Sequence, residues 1–143
     1  MRRLFLSLFV CLGAVSLVAA QALAEETALP DPFAGTWRIS ADPDAASSQA
    51  GQKPFKESLL FVGGRLSGEA LSMYGFTPAE YTLGGEAGDV TFAATMRSEH
   101  RGRIVFVGRA NPARLVGKLE WTKPDGQVHT YDFTGQPFTP DKE

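Results

Sequence analysis

Strict alternation of apolar and polar side chains, interrupted by turn residues, is the feature of this sequence that most constrains its fold. Along 89–97 every second residue from Val90 to Met96 is apolar, and the segments 114–122 and 127–134 alternate in a similar way. Successive side chains of a β-strand point to opposite faces, so this pattern fits a strand that is buried on one side only. The alternation therefore predicts an all-β, antiparallel protein.

Turn residues divide the chain into segments of strand length. Gly63-Gly64, Gly84-Gly85, Pro124-Asp125-Gly126 and Asn111-Pro112 are typical of hairpin turns, because glycine adopts positive φ and proline presets the first turn position. The eight predicted strands are 35–40, 55–62, 65–72, 79–84, 89–97, 103–110, 114–122 and 127–134. No helix is predicted. The connection 41–54 has no apolar period, and a loop of that length in a small domain is usually functional or disordered.

Eight sequential strands joined by short turns predict an up-and-down meander. Closing the meander into a barrel removes its exposed edges, and the interior of an eight-stranded barrel holds either side chains or one small ligand. A two-sheet sandwich is the alternative that the local pattern leaves open. The predicted organisation is a removable segment 1–24, a flexible lead-in 25–33, a single β-barrel domain 34–136 and a tail 137–143.

The first 24 residues have the composition of a bacterial secretory signal. Arg2 and Arg3 precede the apolar run 4–20, and Ala22-Leu23-Ala24 matches a small-residue cleavage site. Cleavage would remove Cys11, the only cysteine, and leave no transmembrane segment. The prediction is a periplasmic or secreted protein, and a retained membrane anchor is the alternative.

Gly35-Thr36-Trp37 at the start of the first strand resembles the opening of the calycin barrels, the lipocalins and avidins. The resemblance implies an up-and-down barrel in which Trp37 plugs the base. The loop 41–54 is similar to the first lipocalin loop, which partly covers the barrel mouth. The avidins' polar biotin ligands have no counterpart in this sequence, so biotin binding is not implied.

The sequence gives little support for catalysis or for a cofactor. His100 and His129 are 29 positions apart in different predicted elements, and nothing in their spacing indicates a metal site. There is no Gly-x-Ser-x-Gly motif, and glycine pairs precede strands rather than helices, so no phosphate loop is predicted. Glu57 shares parity with inward apolar residues and is expected at the wet barrel mouth. The prediction is a non-enzymatic protein without a cofactor; a small hydrolase or isomerase using Glu57 or His129 as base is an alternative.

The leading functional hypothesis is a barrel that binds a small, largely apolar ligand at its mouth. The loop 41–54 and the turn 74–78 would lie at the entrance, and strand aromatics would line the pocket. The candidate ligand-binding residues are Trp37, Glu57, Phe61, Tyr74, Phe76, Tyr81, Phe92, Phe106, Trp121 and Tyr131.

The alternative hypothesis is a structural or protein-interaction module of the cell envelope with a filled core. The formal net charge of −2 argues against a general nucleic-acid binder, but residues 97–123 carry seven basic and only two acidic side chains. On adjacent strands these would form a basic wall for an anionic envelope component or an acidic protein. The candidate contact residues are Arg97, Arg101, Arg103, Arg109, Arg114 and Lys118.

Overall fold

Eight antiparallel strands, hydrogen-bonded in sequence order, close into a barrel. A computed structural model of the protein describes residues 31–111 and 113–139. The strands are β1 Gly35–Pro43, β2 Phe55–Val62, β3 Arg65–Gly68, β4 Ala79–Glu86, β5 Asp89–Ser98, β6 Gly102–Asn111, β7 Arg114–Thr122 and β8 Val128–Pro137. Two short helices lie between strands along the chain: α1 Ala45–Gln49 follows β1, and α2 Glu69–Met73 follows β3. The predicted signal segment 1–24, lead-in residues 25–30 and tail residues 140–143 lie outside the described residues.

The predicted up-and-down barrel is confirmed, and the sandwich alternative is wrong. The decisive pairing is between β1 and β8, in which Ile39 lies opposite Gly135 and Ala41 opposite Phe133. This pairing joins the first strand to the last, so neither keeps a free edge. The structure contains no helix among the described residues that is long and apolar enough to cross a membrane.

The prediction that the chain has no helix is wrong, and so is the predicted end of the third strand at residue 72. The strand ends at Gly68, and α2 follows it directly. Within 41–54, β1 continues to Pro43 and α1 occupies 45–49. A helix of five residues has too few turns for a 3.6-residue period to show in the sequence, and such helices depend on tertiary contacts.

The middle of the barrel is filled by aromatic rings lying over glycines. Phe92 pairs with Gly108, Gly108 with Gly117, and Gly117 with Phe133. One row across four neighbouring strands therefore has a phenylalanine at each end and two glycines between them. A Cβ added to Gly117 would lie 2.6 Å from the Phe133 ring, and one added to Gly108 would collide with the Phe92 ring. The glycines therefore provide the space that the rings occupy.

One end of the barrel, here called the closed end, is plugged by the start of the described chain. Phe33 is 0% exposed and packs against the rings of Phe61 and Phe92, with centroids 5.6 and 4.8 Å away. The Trp37 indole N–H donates to the Phe33 carbonyl at 2.7 Å. Tyr81 donates its hydroxyl to Asp31, which ties the same segment to β4. Phe33, at the end of the predicted lead-in, is thus part of the core.

The other end, here called the mouth end, carries both helices. It is where β1 finishes at Pro43 and where the β5–β6 and β7–β8 hairpins turn. Only two residue pairs join β3 to β4. Helix α2 and the turn 74–78 continue the wall beyond them, and Thr77 N–H reaches Arg97 O of β5 at 3.0 Å.

Candidate binding site at the mouth end

The predicted ligand-binding residues separate into core residues and mouth-end residues. Phe61, Phe92 and Phe106 are buried, and their rings pack against other rings of the core. Trp37 lies buried at the closed end, the position that the calycin resemblance implies. Tyr81 is partly buried against Phe61, at a centroid distance of 5.1 Å. The remaining predicted residues lie at the mouth end: Glu57, Tyr74, Phe76, Trp121 and Tyr131.

Glu57 points inward and is 5% exposed, but its carboxylate is occupied by backbone donors. Oε1 accepts from Ser58 N–H at 2.8 Å and from Ala70 N–H at 2.9 Å, and Oε2 accepts from Leu71 N–H at 2.8 Å. Two of these donors belong to the first turn of α2, where helical N–H groups have no intrahelical partner. Glu57 therefore holds α2 against the barrel wall.

His129 is a buried polar residue with a ring nitrogen that makes no hydrogen bond to the described residues. It is 4% exposed, it faces inward on β8, and its Nε2 has no hydrogen-bond partner among the described residues. Its ring lies 6.4 Å from the Trp121 ring. An unsatisfied buried polar atom costs about 1–3 kcal/mol of stability, so such atoms are rare without a structural or functional reason.

Helix α1 and the residues around it form a strap at the mouth end, defined here as residues 44–52, which is hydrogen-bonded to β8. Asp44 N–H donates to Thr130 O at 2.9 Å, and Thr130 N–H donates to the Ser47 hydroxyl at 2.9 Å. Tyr131 donates its hydroxyl to the Gln52 amide oxygen at 2.7 Å, and burial raises the pKa of Tyr131. These hydrogen bonds fix the strap to the start of β8.

Asp44 begins the strap helix. Its Oδ1 accepts from Ser47 N–H at 2.7 Å, and this backbone hydrogen bond is the main reason that the pKa of Asp44 is lowered. A hydrogen bond from the Ser47 side chain and the positive charge of Lys118 also lower the pKa of Asp44, whereas desolvation acts in the opposite direction.

Two cations lie over aromatic rings at the mouth-end rim. The Arg101 guanidinium lies 5.1 Å from the centroid of the Tyr74 ring, and Lys123 Nζ lies 4.9 Å from that of Trp121. The Trp121 indole N–H donates to Arg101 O at 2.7 Å. Tyr74 is 55% exposed, whereas Phe76 is buried in the core. The rim therefore presents cations beside exposed aromatic surface.

The six predicted basic contact residues do not form one uniform wall. Arg109 pairs with Asp89 at 3.0 Å, and Lys118 pairs with Asp132 at 3.4 Å. Arg114 begins β7 at the opposite end of the barrel wall. The other three, Arg97, Arg101 and Arg103, lie at the turn between β5 and β6.

Arg97 and Arg103 are directly opposite each other across the β5–β6 ladder. Neither has an acidic partner within 4 Å in the described parts of the chain. Like charges in opposed positions destabilise a strand pair. Together with Lys123 they line a shallow groove of about 640 Å³, here called the corner groove, between the turn 75–77 and the hairpin end 98–102.

A second groove, here called the wall groove, runs over the outer face of β8, β1 and β2 and has a volume of about 1080 Å³. Its floor contains Arg38, Ser40, Lys56 and Thr134, and Arg38 lies over the Phe138 ring at 3.8 Å. Both grooves lie on the outside of the barrel, away from the packed rings.

No group of three or more histidine, cysteine, aspartate or glutamate side chains within 31–111 and 113–139 is placed to hold a metal ion. Glu57 and His129, the candidate bases of the enzymatic alternative, are both buried, and the carboxylate of Glu57 already accepts three hydrogen bonds. Comparison with family models, curated proteins and solved structures finds no match for this chain.

Sequence reasoning missed the contribution of Lys123 to the corner groove and that of Gln52 to the strap. Lys123 lies just after β7, and only the barrel brings it beside Arg103. The sequence could have predicted that Arg97 and Arg103 lie opposite each other, because each is three residues from His100 at the centre of the turn. Hairpin symmetry pairs residues at equal distances from the turn.

Proposed function

We propose that this chain is an exported, non-enzymatic binding protein of the bacterial cell envelope, in which a calycin-like barrel serves as a filled scaffold and the mouth-end rim contacts an anionic lipid surface. The observation that carries the proposal is the set of cations Arg97, Arg101, Arg103 and Lys123 at one corner. No ion pair within 4 Å neutralises any of them in the described residues. Unneutralised cations attract anionic headgroups, each contributing about 1 kcal/mol near the surface.

Exposed apolar side chains at the same end support a lipid surface rather than an acidic protein. Met73 is 84% exposed at the end of α2 and adjoins Tyr74, and Val128 is exposed at the start of β8. Aromatic and apolar side chains beside cations match the boundary between headgroups and acyl chains. The filled barrel middle supports contact from outside rather than a deep apolar pocket.

Vesicle co-sedimentation of the protein recovered from a bacterial periplasm tests this proposal. We expect binding to phosphatidylglycerol vesicles that weakens as salt rises through 0.15 M, since exposed charges are screened over about 8–10 Å. Neutral phosphatidylcholine vesicles are the control. Equal binding to both, or binding to neither at low salt, would overturn the proposal.

A small apolar ligand beneath the strap is a second candidate, and the buried Nε2 of His129 favours it. A ligand carrying one hydrogen-bonding group would satisfy this atom while its apolar part packs against Trp121 and Tyr131. Native mass spectrometry of the periplasmic protein tests this candidate. Extra mass that is lost on denaturation, and that is absent from His129→Leu, would support it, whereas the bare mass in both proteins would count against it.

A further inference from the structure

The corner groove has the features of a site for one phosphate group rather than of a general basic surface. Arg97 and Arg103 face each other across the ladder and both line the groove. Lys123, the residue that follows β7, also lines the groove, and its Nζ lies 4.9 Å from the centroid of the Trp121 ring. Three cations, from β5, from β6 and from the residue after β7, therefore line one groove.

The net charge of the groove indicates which anion would fit. Arg97, Arg103 and Lys123 contribute three positive charges to the lining of the groove, and Glu99 contributes one negative charge. The net charge of the lining is therefore +2. A phosphate monoester carries about −1.5 to −2 at pH 7, whereas a phosphate diester or a carboxylate carries −1. The monoester matches this net charge, and arginine guanidinium groups match its oxygens geometrically.

The backbone around the groove leaves room close to the cations. Gly75 and Gly102 both line the groove and both have positive φ, 84° and 91°. A Cβ on Gly102 would collide with the Thr122 carbonyl, so the hairpin can turn there only without a side chain. Thr77 and Thr122 add hydroxyl groups to the lining.

We infer that the corner groove binds the phosphate monoester group of an anionic ligand, with Arg97 and Arg103 as its main contacts and Lys123 as a third. The inference rests on the proposed function, which assigns an anionic partner to this rim. The monoester belongs either to a lipid headgroup or to a soluble phosphorylated compound.

Titration calorimetry measures the affinity of the protein for three ligands. Vesicles of phosphatidic acid present a phosphate monoester, and vesicles of phosphatidylglycerol present a diester. Glycerol phosphate presents the monoester in solution, without a lipid surface. We expect phosphatidic acid to bind more tightly than phosphatidylglycerol at equal molar fraction. Arg97→Gln and Arg103→Gln should each weaken phosphatidic acid binding about tenfold, as expected for losing a charge-assisted hydrogen bond. The matched controls Arg109→Gln and Lys118→Gln remove the same charge from ion-paired positions and should weaken it less than about threefold.

The outcomes separate the inference from the proposed function. Equal losses in all four variants, or no preference for phosphatidic acid, would overturn the phosphate site and leave the anionic-surface function standing. Binding of glycerol phosphate without vesicle binding would support the site and overturn the lipid surface. Absence of both kinds of binding would overturn both. Unchanged circular dichroism of Arg97→Gln, expected for an exposed side chain without an ion pair, shows that the variant is folded.

Discussion

The two ends of this barrel are built on opposite principles. At the closed end, Phe33 and Trp37 are buried and hydrogen-bonded to each other, and Tyr81 and Asp31 lock the segment in place. At the mouth end, His129 keeps an unsatisfied atom and the cations of the corner groove lack acidic partners in the described residues. Packing and polar satisfaction give stability, so we expect the closed end to contribute more to the stability of the fold, whereas our proposal assigns the contacts to the mouth end.

Removal of the Phe33 ring from the closed end should have the largest effect on stability. Phe33→Ala should lower the free energy of unfolding by about 3–5 kcal/mol, because it deletes a fully buried ring and leaves a cavity. Urea denaturation monitored by tryptophan fluorescence measures the loss. Met73→Ala, an exposed apolar truncation at the mouth end, is the control and should stay within about 0.5 kcal/mol. Equal losses would show that the plug is not special.

Glu57 is the mouth-end residue with the largest expected structural role. Glu57→Gln should cost about 2–3 kcal/mol of unfolding free energy, because the amide retains one acceptor oxygen and turns an N–H₂ donor toward backbone donors. Chemical denaturation measures the cost, with Glu80→Gln on the exposed face of β4 as control. Unchanged stability in Glu57→Gln would mean that the carboxylate does not hold α2.

His129 is expected to give an effect of the opposite sign. His129→Leu should raise the unfolding free energy by about 1 kcal/mol, because an apolar side chain of similar size removes the unsatisfied polar atom. Thermal unfolding of the periplasmic protein measures the change. A clear loss of stability would instead show that His129 has a hydrogen-bond partner in the folded protein. That result would favour the proposed ligand beneath the strap.

The closed end should respond to alkali. Burial and the Asp31 carboxylate raise the pKa of Tyr81 to about 12, above its ordinary value of 10.0. The neutral phenol is favoured by folding, so this contribution to stability is complete below pH 10 and disappears as the pH rises through about 12. Tyrosinate absorbance at 295 nm should show a late-titrating group that is absent from Tyr81→Phe. A Tyr81→Phe profile identical to that of the unsubstituted protein would contradict the assignment.

The strap should respond to acid, with the smallest of the expected effects. The pKa of Asp44 is lowered in the folded protein, so its contribution is present above the ordinary value of 3.8 and disappears as the pH falls below the folded value. The protection of Ser47 N–H against hydrogen exchange, measured relative to the intrinsic exchange rate at each pH, should therefore fall at low pH in the unsubstituted protein. Asp44→Asn retains an acceptor oxygen and should remove this pH dependence. The same acid dependence in Asp44→Asn would locate the titrating group elsewhere.

Sequence reasoning predicted the strands far better than the site. The bounds of β2 and β7 match the predicted segments, because alternation and turn residues report directly on the local backbone. Helix α1 was missed because five residues are too few to show a helical period, and α2 was missed because its first turn is held by Glu57, 12 residues before it. The basic residues were found as a group, but which of them are ion-paired depends on the strand register around the barrel.

Sequence alone determined that this chain forms eight antiparallel strands and that one stretch of it is basic, since both follow from residue type and local spacing. Three features depend on the tertiary structure: β1 closes on β8, Phe92 and Phe133 lie over Gly108 and Gly117, and Arg97, Arg103 and Lys123 line one groove. The physical reason is that alternation fixes the face on which a side chain lies, whereas its neighbours are fixed by strands distant in sequence.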